Sequence, residues 1–268
     1  MADERFFADP RLSFAEGRFS RQSTRTFKPH MHRCFSIGAV EEGEILYRAD
    51  GQCHRLRPGG FALINPETLH ACNHETAAPR SYFMLYLQTD WCLRVQQSLW
   101  RVERFVPVRR PLLEDTRLYE HFRAAMACLM VPGPLLAKEQ QLLELMEAVF
   151  VRACNPGEPA RPASQRVEQL RDRLAADLAA DLTLECLATE MGANACTLIR
   201  QFKEATGITP HAYRTNCRID HARHLLRQGR DIAETALECG FFDQSHFHRH
   251  FKAMTTVTPR EYQVNFVQ

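Results

Sequence analysis

The pattern of apolar and polar positions divides the chain into a strand-rich first part and a helical remainder. Between about Phe27 and Gln88, short apolar runs are separated by glycine and proline. In EILYRADGQCHRL, Asp50 and Gly51 form a two-residue turn between two predicted strands. The segment from Phe61 to Ile64 and the run SYFMLYLQ predict two more strands. Evenly spaced short strands with such turns favour a small β-barrel or a sandwich.

A helical period replaces this pattern after Arg110. Apolar residues recur with helical spacing over 112–130 and 134–153, and from Gln165 onward every long segment is helical in pattern. Between these parts, CNPGEPARPAS concentrates residues typical of an interdomain linker. We therefore predict a two-domain α+β protein, with a β-barrel and its following helices at 1–153, a linker at 154–164 and an all-α domain at 165–268.

The predicted helix over 134–153 carries an apolar stripe that is wider than one core contact requires. Its main positions are Leu135, Leu142, Met146 and Val149. Such a stripe suits self-association, and we predict these four as dimerisation residues. Packing of the same stripe on the barrel explains it equally well.

Composition and charge limit the classes of partner. The net charge is only +2, so DNA binding has to depend on where the cations point rather than on their number. A purely architectural DNA-binding protein is expected to be more basic. The chain begins without an apolar signal region, and no apolar run approaches the ~18 residues of a membrane span, so we expect a cytoplasmic protein with no membrane partner. Ten cysteines without a CxxC pair are typical of reduced thiols.

The C-terminal part contains two copies of one unit. Phe202-Lys203 and Thr209-Pro210 recur 49 residues later (from 202 to 251) as Phe251-Lys252 and Thr258-Pro259. In each copy a helix ends at a glycine, and a capping residue then starts a second helix. The glycines are Gly192 and Gly240, and the capping residues are Asn194 and Asp243. Two helices joined by a short turn predict a helix-turn-helix unit in each copy.

The second helix of each unit has one apolar and one polar face. At about 100° per residue, Phe247 and Phe251 share one side of the helix, and Arg249 lies on the other. An arginine can bind guanine through two hydrogen bonds, and Gln244 can read adenine, so the polar face suits a major groove.

The last hundred or so residues resemble the DNA-binding domain of AraC/XylS-type transcription regulators. The matching segment is GFFDQSHFHRHFKAMTTVTPREYQ. It departs from the family pattern at Thr256, where glycine is usual and a helix end is expected to be strained, and at Gln263, where arginine is usual. The resemblance implies two helix-turn-helix units joined by a central helix at about Pro210 to Gln228, which read successive major grooves of double-stranded DNA.

The resemblance also implies which residues contact DNA. In the first unit they are Asn194, Cys196, Thr197, Ile199 and Arg200, and in the second Gln244, Ser245, His248, Arg249 and Lys252. The alternative for Arg200 and Arg249 is a solvated surface role. His246 and His250 have the spacing of zinc ligands, but no further ligand lies nearby in the sequence, so packing or phosphate contact is favoured.

The N-terminal part resembles the cupin-like effector domain that precedes the DNA reader in this family. It matches in the pair His30 and His32, in RPGGFALINPETLH and in His70. Metal-binding cupins add a glutamate, but Ser36 stands at that position here. We therefore favour a small-molecule effector, anionic or an amino acid, bound by His30, His32, Tyr47 and His70. Zinc held by the three histidines, and histidines that only satisfy strand ends, are the alternatives.

Together the two resemblances imply a transcription regulator, more often an activator than a repressor, that responds to a small molecule. Its expected partners are double-stranded DNA, the effector, RNA polymerase and a second copy of the chain. No enzymatic activity is expected. The rival interpretation, a cupin-type metal-dependent enzyme or a metal sensor fused to a DNA-binding domain, does not by itself explain the repeated helix-turn-helix units.

Overall fold

A computed structural model of the chain describes residues 3–49, 51–74, 78–157, 164–180 and 182–267. Its strands are β1 (Asp3–Phe7), β2 (Ala15–Ser23), β3 (Phe35–Glu42), β4 (Ile45–Ala49), β5 (Gln52–Leu56), β6 (Gly60–Ile64), β7 (His70–Asn73), β8 (Arg80–Leu87), β9 (Leu112–Glu114) and β10 (Phe266–Val267). Its helices are α1 (Thr89–Leu99), α2 (Thr116–Leu129), α3 (Leu135–Ala153), α4 (Gln165–Ala176), α5 (Leu184–Glu190), α6 (Ala195–Thr206), α7 (Pro210–Arg227), α8 (Ile232–Glu238), α9 (Gln244–Thr255) and α10 (Pro259–Val264).

The N-terminal strands form two sheets. The larger sheet has the order β10-β1-β2-β8-β3-β6-β9, and the smaller has the order β5-β4-β7. Neighbouring strands are antiparallel except for β1 and β10, which pair in parallel. Because β10 lies near the end of the chain and β1 near its start, this pair joins the C-terminal helices to the N-terminal sheet.

Both faces of the larger sheet are buried, which explains the unbroken apolar run in SYFMLYLQ. In β8, Leu85 and Leu87 pack with α1, α2 and α3, whereas Tyr82 and Met84 belong to the core shared with the smaller sheet. Successive side chains of a strand point to opposite faces, so a strand covered on both sides is apolar at nearly every position. The predicted α+β class with a sheet-rich first domain is confirmed.

The apolar stripe of α3 lies in this core. Leu142 and Met146 are 0% exposed and Val149 is 1% exposed, and Leu135 packs against the same cluster. Leu142, Met146 and Val149 cannot contact a second copy without unpacking the domain, and Leu135 is partly buried against the same cluster. The prediction that they mediate dimerisation is therefore corrected: packing on the sheet accounts for the stripe.

Several N-terminal elements differ from the prediction. Residues 112–114, predicted as helix, form β9 beside β6, and α2 begins only after the Asp115 cap. The strands β1 and β2 and the helix α1 were not predicted. In β2 the buried residues include Glu16, which pairs with Arg223 of α7, and Arg18, which pairs with Glu4 of β1, so the strand shows no apolar alternation.

The C-terminal helices form the two predicted helix-turn-helix units. The first consists of α5 and α6, the second of α8 and α9, and α7 joins them. The 18 residues of α7 make it about 27 Å long at 1.5 Å per residue. Each unit has its own apolar cluster, built around Phe202 in the first and around Phe247 and Phe251 in the second.

The two parts of the chain share these clusters. Phe6 of β1 belongs to the core of the second unit, and Met31 belongs to the core of the first. α3 ends at Ala153 and α4 begins at Gln165, and residues 158–163 of the predicted linker lie outside the described residues. Among the helices described, none combines the length and the apolar character that crossing a membrane requires.

Candidate DNA-binding and effector sites

Both second helices of the helix-turn-helix units begin at a capping side chain. The Asn194 carboxamide accepts a hydrogen bond from the backbone N–H of Cys196 at 2.8 Å, and the Asp243 carboxylate accepts one from that of His246 at 2.6 Å. Such caps satisfy amide groups that the helix itself leaves unpaired. The caps fix where each helix starts and so which residues its first turn presents.

The residues predicted to contact DNA lie on the solvent side of these helices. Those that are exposed are Asn194, Cys196, Arg200, Gln244, Ser245, Arg249 and Lys252, and those that are half-buried are Thr197, Ile199 and His248. The side chains of Leu198, Phe202, Phe247 and Phe251 are turned into the core. Each helix therefore presents a polar surface whose orientation is fixed by the aromatic residues behind it.

The arginine side chains of these surfaces have no internal partner among the described residues. The guanidinium of neither Arg200 nor Arg249 makes a hydrogen bond or an ion pair with any residue that the structure describes. By contrast, Arg214 donates to backbone carbonyls of the first unit, and Arg223 pairs with Glu16. A guanidinium that makes no internal bond is free to bind a phosphate or a guanine edge.

His246 and His250 pack on aromatic neighbours. Their rings lie 4.8 Å apart, and both contact Phe241. Burial lowers the pKa of His250. Among the described residues, the metal-ligating side chains that cluster in a group of three or more lie elsewhere, and neither of these two histidines belongs to such a group. A packing role therefore agrees with the structure.

The three histidines of the N-terminal domain form that group. His30 and His70 face each other in a two-residue antiparallel bridge, with backbone hydrogen bonds of 3.0 and 2.9 Å. The ring centres of His30, His32 and His70 lie 4.6 to 5.2 Å apart. One ligand atom from each ring lies within 4.8 Å of the others, and all three residues are buried. The fold thus assembles a cluster from residues that are 40 positions apart in the sequence, from 30 to 70.

Hydrogen bonds set the proton positions of two of these rings. His30 Nδ1 lies 2.7 Å from the Lys28 carbonyl and His70 Nδ1 lies 2.9 Å from the Thr68 carbonyl. A carbonyl only accepts, so both Nδ1 atoms carry the proton and both Nε2 atoms keep a lone pair. Burial lowers the pKa of His70 to about 4 and those of His30 and His32 well below their usual value, so all three are neutral at pH 7.

The space beside the cluster is small and apolar. A cavity of about 20 Å³ is lined by the three histidines and by side chains that include Phe27, Val40 and Met84. That volume suits an ion or one water molecule, whereas small-molecule pockets are usually about 300 to 1,000 Å³. Tyr47, predicted to bind the effector with the histidines, is buried in the same core but does not line this cavity as the described residues form it.

A larger cavity lies between the two domains. It measures about 460 Å³ and is lined from the N-terminal domain and from α7. Its charged lining residues are Glu16, Arg33, Asp90, Asp220, Arg223 and Arg227. Sequence reasoning missed this site because its residues come from distant parts of the chain, and only a charged residue inside a strand, such as Glu16, offered a signal.

Glu16 is the ionic centre of this interface. Its carboxylate accepts from Arg223 at 2.6 Å, from Arg227 at 3.0 Å and from the hydroxyl of Tyr262 at 2.9 Å. Burial alone would raise the pKa of Glu16, but the two arginines hold it below its usual value. The Arg223 guanidinium also lies 4.4 Å from the centre of the Tyr86 ring. The carboxylate therefore ties β2 to α7 and α10.

Comparison with known families agrees with this arrangement. Residues 187–265 match the profile of a helix-turn-helix domain, and residues 15–148 match that of the AraC-like ligand binding domain. The second match covers half of the chain. The chain belongs to the AraC family of transcription regulators. It is thus a DNA-binding regulator with a ligand-binding domain, and the helix-turn-helix match extends over both units inferred from the internal repeat.

Individual relatives of this AraC-family chain span most of its length. An uncharacterized HTH-type transcriptional regulator, YbfI of Bacillus subtilis, is 25% identical over 89% of this chain and 87% of its own. The HTH-type transcriptional activator RhaS of Klebsiella pneumoniae is 26% identical over 88% and 87%. Among solved structures, ToxT from Vibrio cholerae with a bound unsaturated fatty acid shares the fold, with a TM-score of 0.65, 12% identity and coverage of 98% and 94%.

Proposed function

We propose that the protein is a sequence-specific transcription activator controlled by a small-molecule effector. The observation that carries this proposal is the repeated, outward-facing helix with an internally unbonded arginine, Arg200 in the first unit and Arg249 in the second. RhaS is named a transcriptional activator, which supports activation. Relatives that align with 88–89% of the chain are named transcriptional regulators, which supports regulation rather than catalysis.

The proposed base contacts follow from the exposed faces of α6 and α9. Arg249 and Gln244 on α9 would read guanine and adenine, and Arg200 would read guanine in the neighbouring groove. Cys196 and Ile199 are suited to thymine methyl groups, while Lys252 is suited to phosphate. α7 separates the two units, and we propose that α6 and α9 lie in successive major grooves on one side of the duplex.

Selection of binding sites from random duplex DNA tests this function. At fixed salt we expect a motif with two blocks about one helical turn apart. In Arg249→Ala the second block should lose about 1–3 kcal/mol of specific binding, while the first remains. Arg101→Ala, an exposed arginine of the N-terminal domain, is the matched control and should select the wild-type motif. Equal losses of Arg249→Ala on selected and random DNA would show phosphate contact instead, and no enrichment by folded protein would contradict the proposal.

For the effector, we propose the cavity between the domains rather than the space beside the histidines. Its volume of about 460 Å³ suits a small molecule, and Arg33, Arg223 and Arg227 offer donors to a carboxylate. The fatty acid bound by ToxT is an acid of this chemical class. A bound carboxylate would compete with Glu16 for Arg223 and Arg227 and so change how α7 is held. Regulation requires that the ligand contact two states of the protein differently, and this competition would provide such a difference.

Titration with an unsaturated fatty acid such as oleate tests the effector site. Binding should be weakened by Arg33→Ala, because the Arg33 side chain is more than half exposed and its ion pair within the described part of the chain, with Glu67, is as long as 4.0 Å. Arg101→Ala should bind like the wild type. Equal binding by the wild type and by Arg33→Ala would exclude this pose, and binding of no carboxylate tested would exclude this ligand class.

We also propose a homodimer and contact with RNA polymerase, as expected for an activator. With the predicted stripe packed on the sheet, the large apolar side chains that α3 leaves exposed are Leu136, Leu143 and Val151. Sedimentation equilibrium of the wild type and of Leu136→Asp tests this surface. A monomeric wild type would contradict the dimer.

A further inference from the structure

The histidine cluster has features that neither DNA binding nor the effector cavity uses. His30, His32 and His70 are 4%, 8% and 2% exposed, and their rings converge. Both ring nitrogens of His32 are buried without a hydrogen-bond partner among the described residues. A buried polar nitrogen without a partner is unfavourable, because it has lost its hydrogen bonds to water and gained none in the protein. The fold therefore maintains an unfavourable arrangement that a ligand for the ring nitrogens would relieve.

All three rings direct Nδ1 at an oxygen atom. His30 and His70 donate to the carbonyls of Lys28 and Thr68. His32 Nδ1 lies 3.7 Å from Oδ1 of Asp220 on α7, which is too long for a hydrogen bond in the present arrangement. Histidines that bind metals commonly donate their second ring nitrogen to a carbonyl or a carboxylate, which orients the ring. This pattern leaves the three Nε2 atoms as candidate ligands.

We propose that His30, His32 and His70 bind one divalent first-row transition metal ion, with zinc as the reference ion, through their Nε2 atoms. Three imidazoles are a donor set that zinc, copper, nickel and iron accept. The cavity of about 20 Å³ has the size of an ion, and its other lining is largely apolar. This inference goes beyond the proposed function and does not depend on DNA binding.

The distances indicate how the site changes when it binds metal. Tetrahedral ligands at the usual zinc–nitrogen distance lie about 3.3 Å apart, whereas these ligand atoms lie within 4.8 Å of one another. Each ring has to move inward by no more than about 1 Å. The segment that carries His30 and His32 would move with them towards β7.

That segment is also bonded to the DNA-binding domain. The backbone N–H of Met31 donates to Asn216 on α7 at 3.1 Å, and that of Arg33 donates to Asp220 at 3.1 Å. Asp220 is the same carboxylate that faces His32 Nδ1. A metal ion at the histidines would therefore shift the segment that is bonded to Asn216 and Asp220, and so change how α7 is held against the N-terminal domain.

Metal binding to the full-length protein, without DNA, tests the site. Protein stripped with a chelator is titrated with Zn²⁺, and separately with Co²⁺, whose visible absorption reports four-coordinate geometry. We expect one ion per chain after gel filtration and an affinity at least about 100-fold lower in His32→Ala. His54→Ala removes another imidazole of the same domain, and His250→Ala removes one with zinc-ligand spacing; both should bind like the wild type.

Asp220→Asn keeps all three proposed ligands and changes only the carboxylate that faces His32. It therefore distinguishes a metal site, whose affinity should fall, from a general loss of structure, which should abolish binding. It should lower the affinity for zinc by about 10- to 100-fold while one ion per chain still binds at saturation. Less than stoichiometric uptake by folded wild-type protein, uptake that His32→Ala leaves unchanged, or uptake lost in His250→Ala would each overturn the proposal. Because DNA is absent from this experiment, its failure leaves the DNA-binding function untouched.

Discussion

At the residue scale, Glu16 shows how one buried charge can hold two domains together. Its side chain is 4% exposed, and two arginines and a tyrosine hydroxyl surround the carboxylate. An ion pair buried in this way is sensitive to removal of one partner, because the other charges remain without compensation. The residue that looks least suitable for the strand β2 is therefore the one that fixes α7 and α10 against it.

We predict that Glu16→Gln lowers the free energy of unfolding by about 3–5 kcal/mol, the cost typical of a broken buried ion pair. Urea unfolding followed by circular dichroism measures it. Glu120→Gln, an exposed residue of α2, should change stability by less than about 0.5 kcal/mol. A loss in Glu16→Gln as small as that of the control would show that the pair contributes little.

The same carboxylate predicts a pH dependence of stability. Its pKa in the folded protein lies below the ordinary value of 4.5, so the folded state binds fewer protons than the unfolded state in that region. The stabilisation is complete above pH 4.5 and is lost as the pH falls through the folded-state pKa. Unfolding measured from pH 7 down to pH 3 should therefore show a smaller acid-dependent loss in Glu16→Gln than in the wild type.

Thr256 illustrates strain with a compensating contact. It ends α9 with a φ of 66°, where the first unit has Gly207 with a φ of 79°. A left-handed conformation costs a residue with a Cβ about 1–2 kcal/mol. The Thr256 hydroxyl accepts a hydrogen bond from Arg18 at 2.9 Å, and its carbonyl accepts one from Arg25 at 3.1 Å. The strain expected from the sequence is present, and the side chain that causes it binds the N-terminal domain.

At the scale of elements, the internal repeat supplies matched pairs of positions. Gly192 and Gly240 both follow the first helix of a unit, with φ of +59° and +76°. A Cβ at Gly192 meets nothing within 4 Å, whereas one at Gly240 lies 2.3 Å from the Leu178 carbonyl oxygen. The turn glycine therefore packs against the backbone at Leu178 in the second unit, whereas the equivalent glycine of the first unit has free space beside it.

We predict that Gly240→Ala destabilises the protein more than Gly192→Ala. The change at Gly192 carries only the left-handed cost of about 1–2 kcal/mol. At Gly240 the clash with backbone is added, and we expect a total above about 3 kcal/mol. Equal free energies of unfolding for the two variants would show that the segment at Leu178 moves aside without cost.

At the scale of the whole molecule, the two domains do not have separate cores. Phe6 of β1 contacts Tyr262 and Phe266, with ring centres 5.1 and 5.5 Å apart, and belongs to the apolar cluster of the second helix-turn-helix unit. The pair of β1 and β10 adds backbone hydrogen bonding to the same junction. The stability of the second unit should therefore depend on a residue of the N-terminal domain.

We predict that Phe6→Ala increases the rate of amide hydrogen exchange in α9 and α10, since it removes a fully buried ring from their core, at a cost of about 3–5 kcal/mol. Phe35→Ala removes a ring of equal size that packs only within the N-terminal core, so it should accelerate exchange in β3 and β8 instead. Identical exchange patterns for the two variants would mean that the whole molecule opens as one unit.

The sequence by itself determined the local features of the helices. Capping residues, turn glycines and the spacing of Phe247 and Phe251 depend on neighbours within a few positions, and the repeat displayed each feature twice. These signals located both helix-turn-helix units and the outward faces that carry Arg200 and Arg249. In the N-terminal part, glycine and proline marked the strands from β4 to β8 for the same reason.

Only the tertiary structure decided which apolar or charged residues are buried, and by what. The apolar stripe of α3 has the same sequence pattern whether it packs on a sheet or on a second chain. The position of the larger sheet decided between these two partners. Glu16 and Arg18 look like surface residues until the C-terminal domain supplies hydrogen-bond partners for both from more than 200 positions away. His30, His32 and His70 likewise become a cluster only when β7 lies beside the preceding segment, because contacts between distant segments leave no periodic trace in a single sequence.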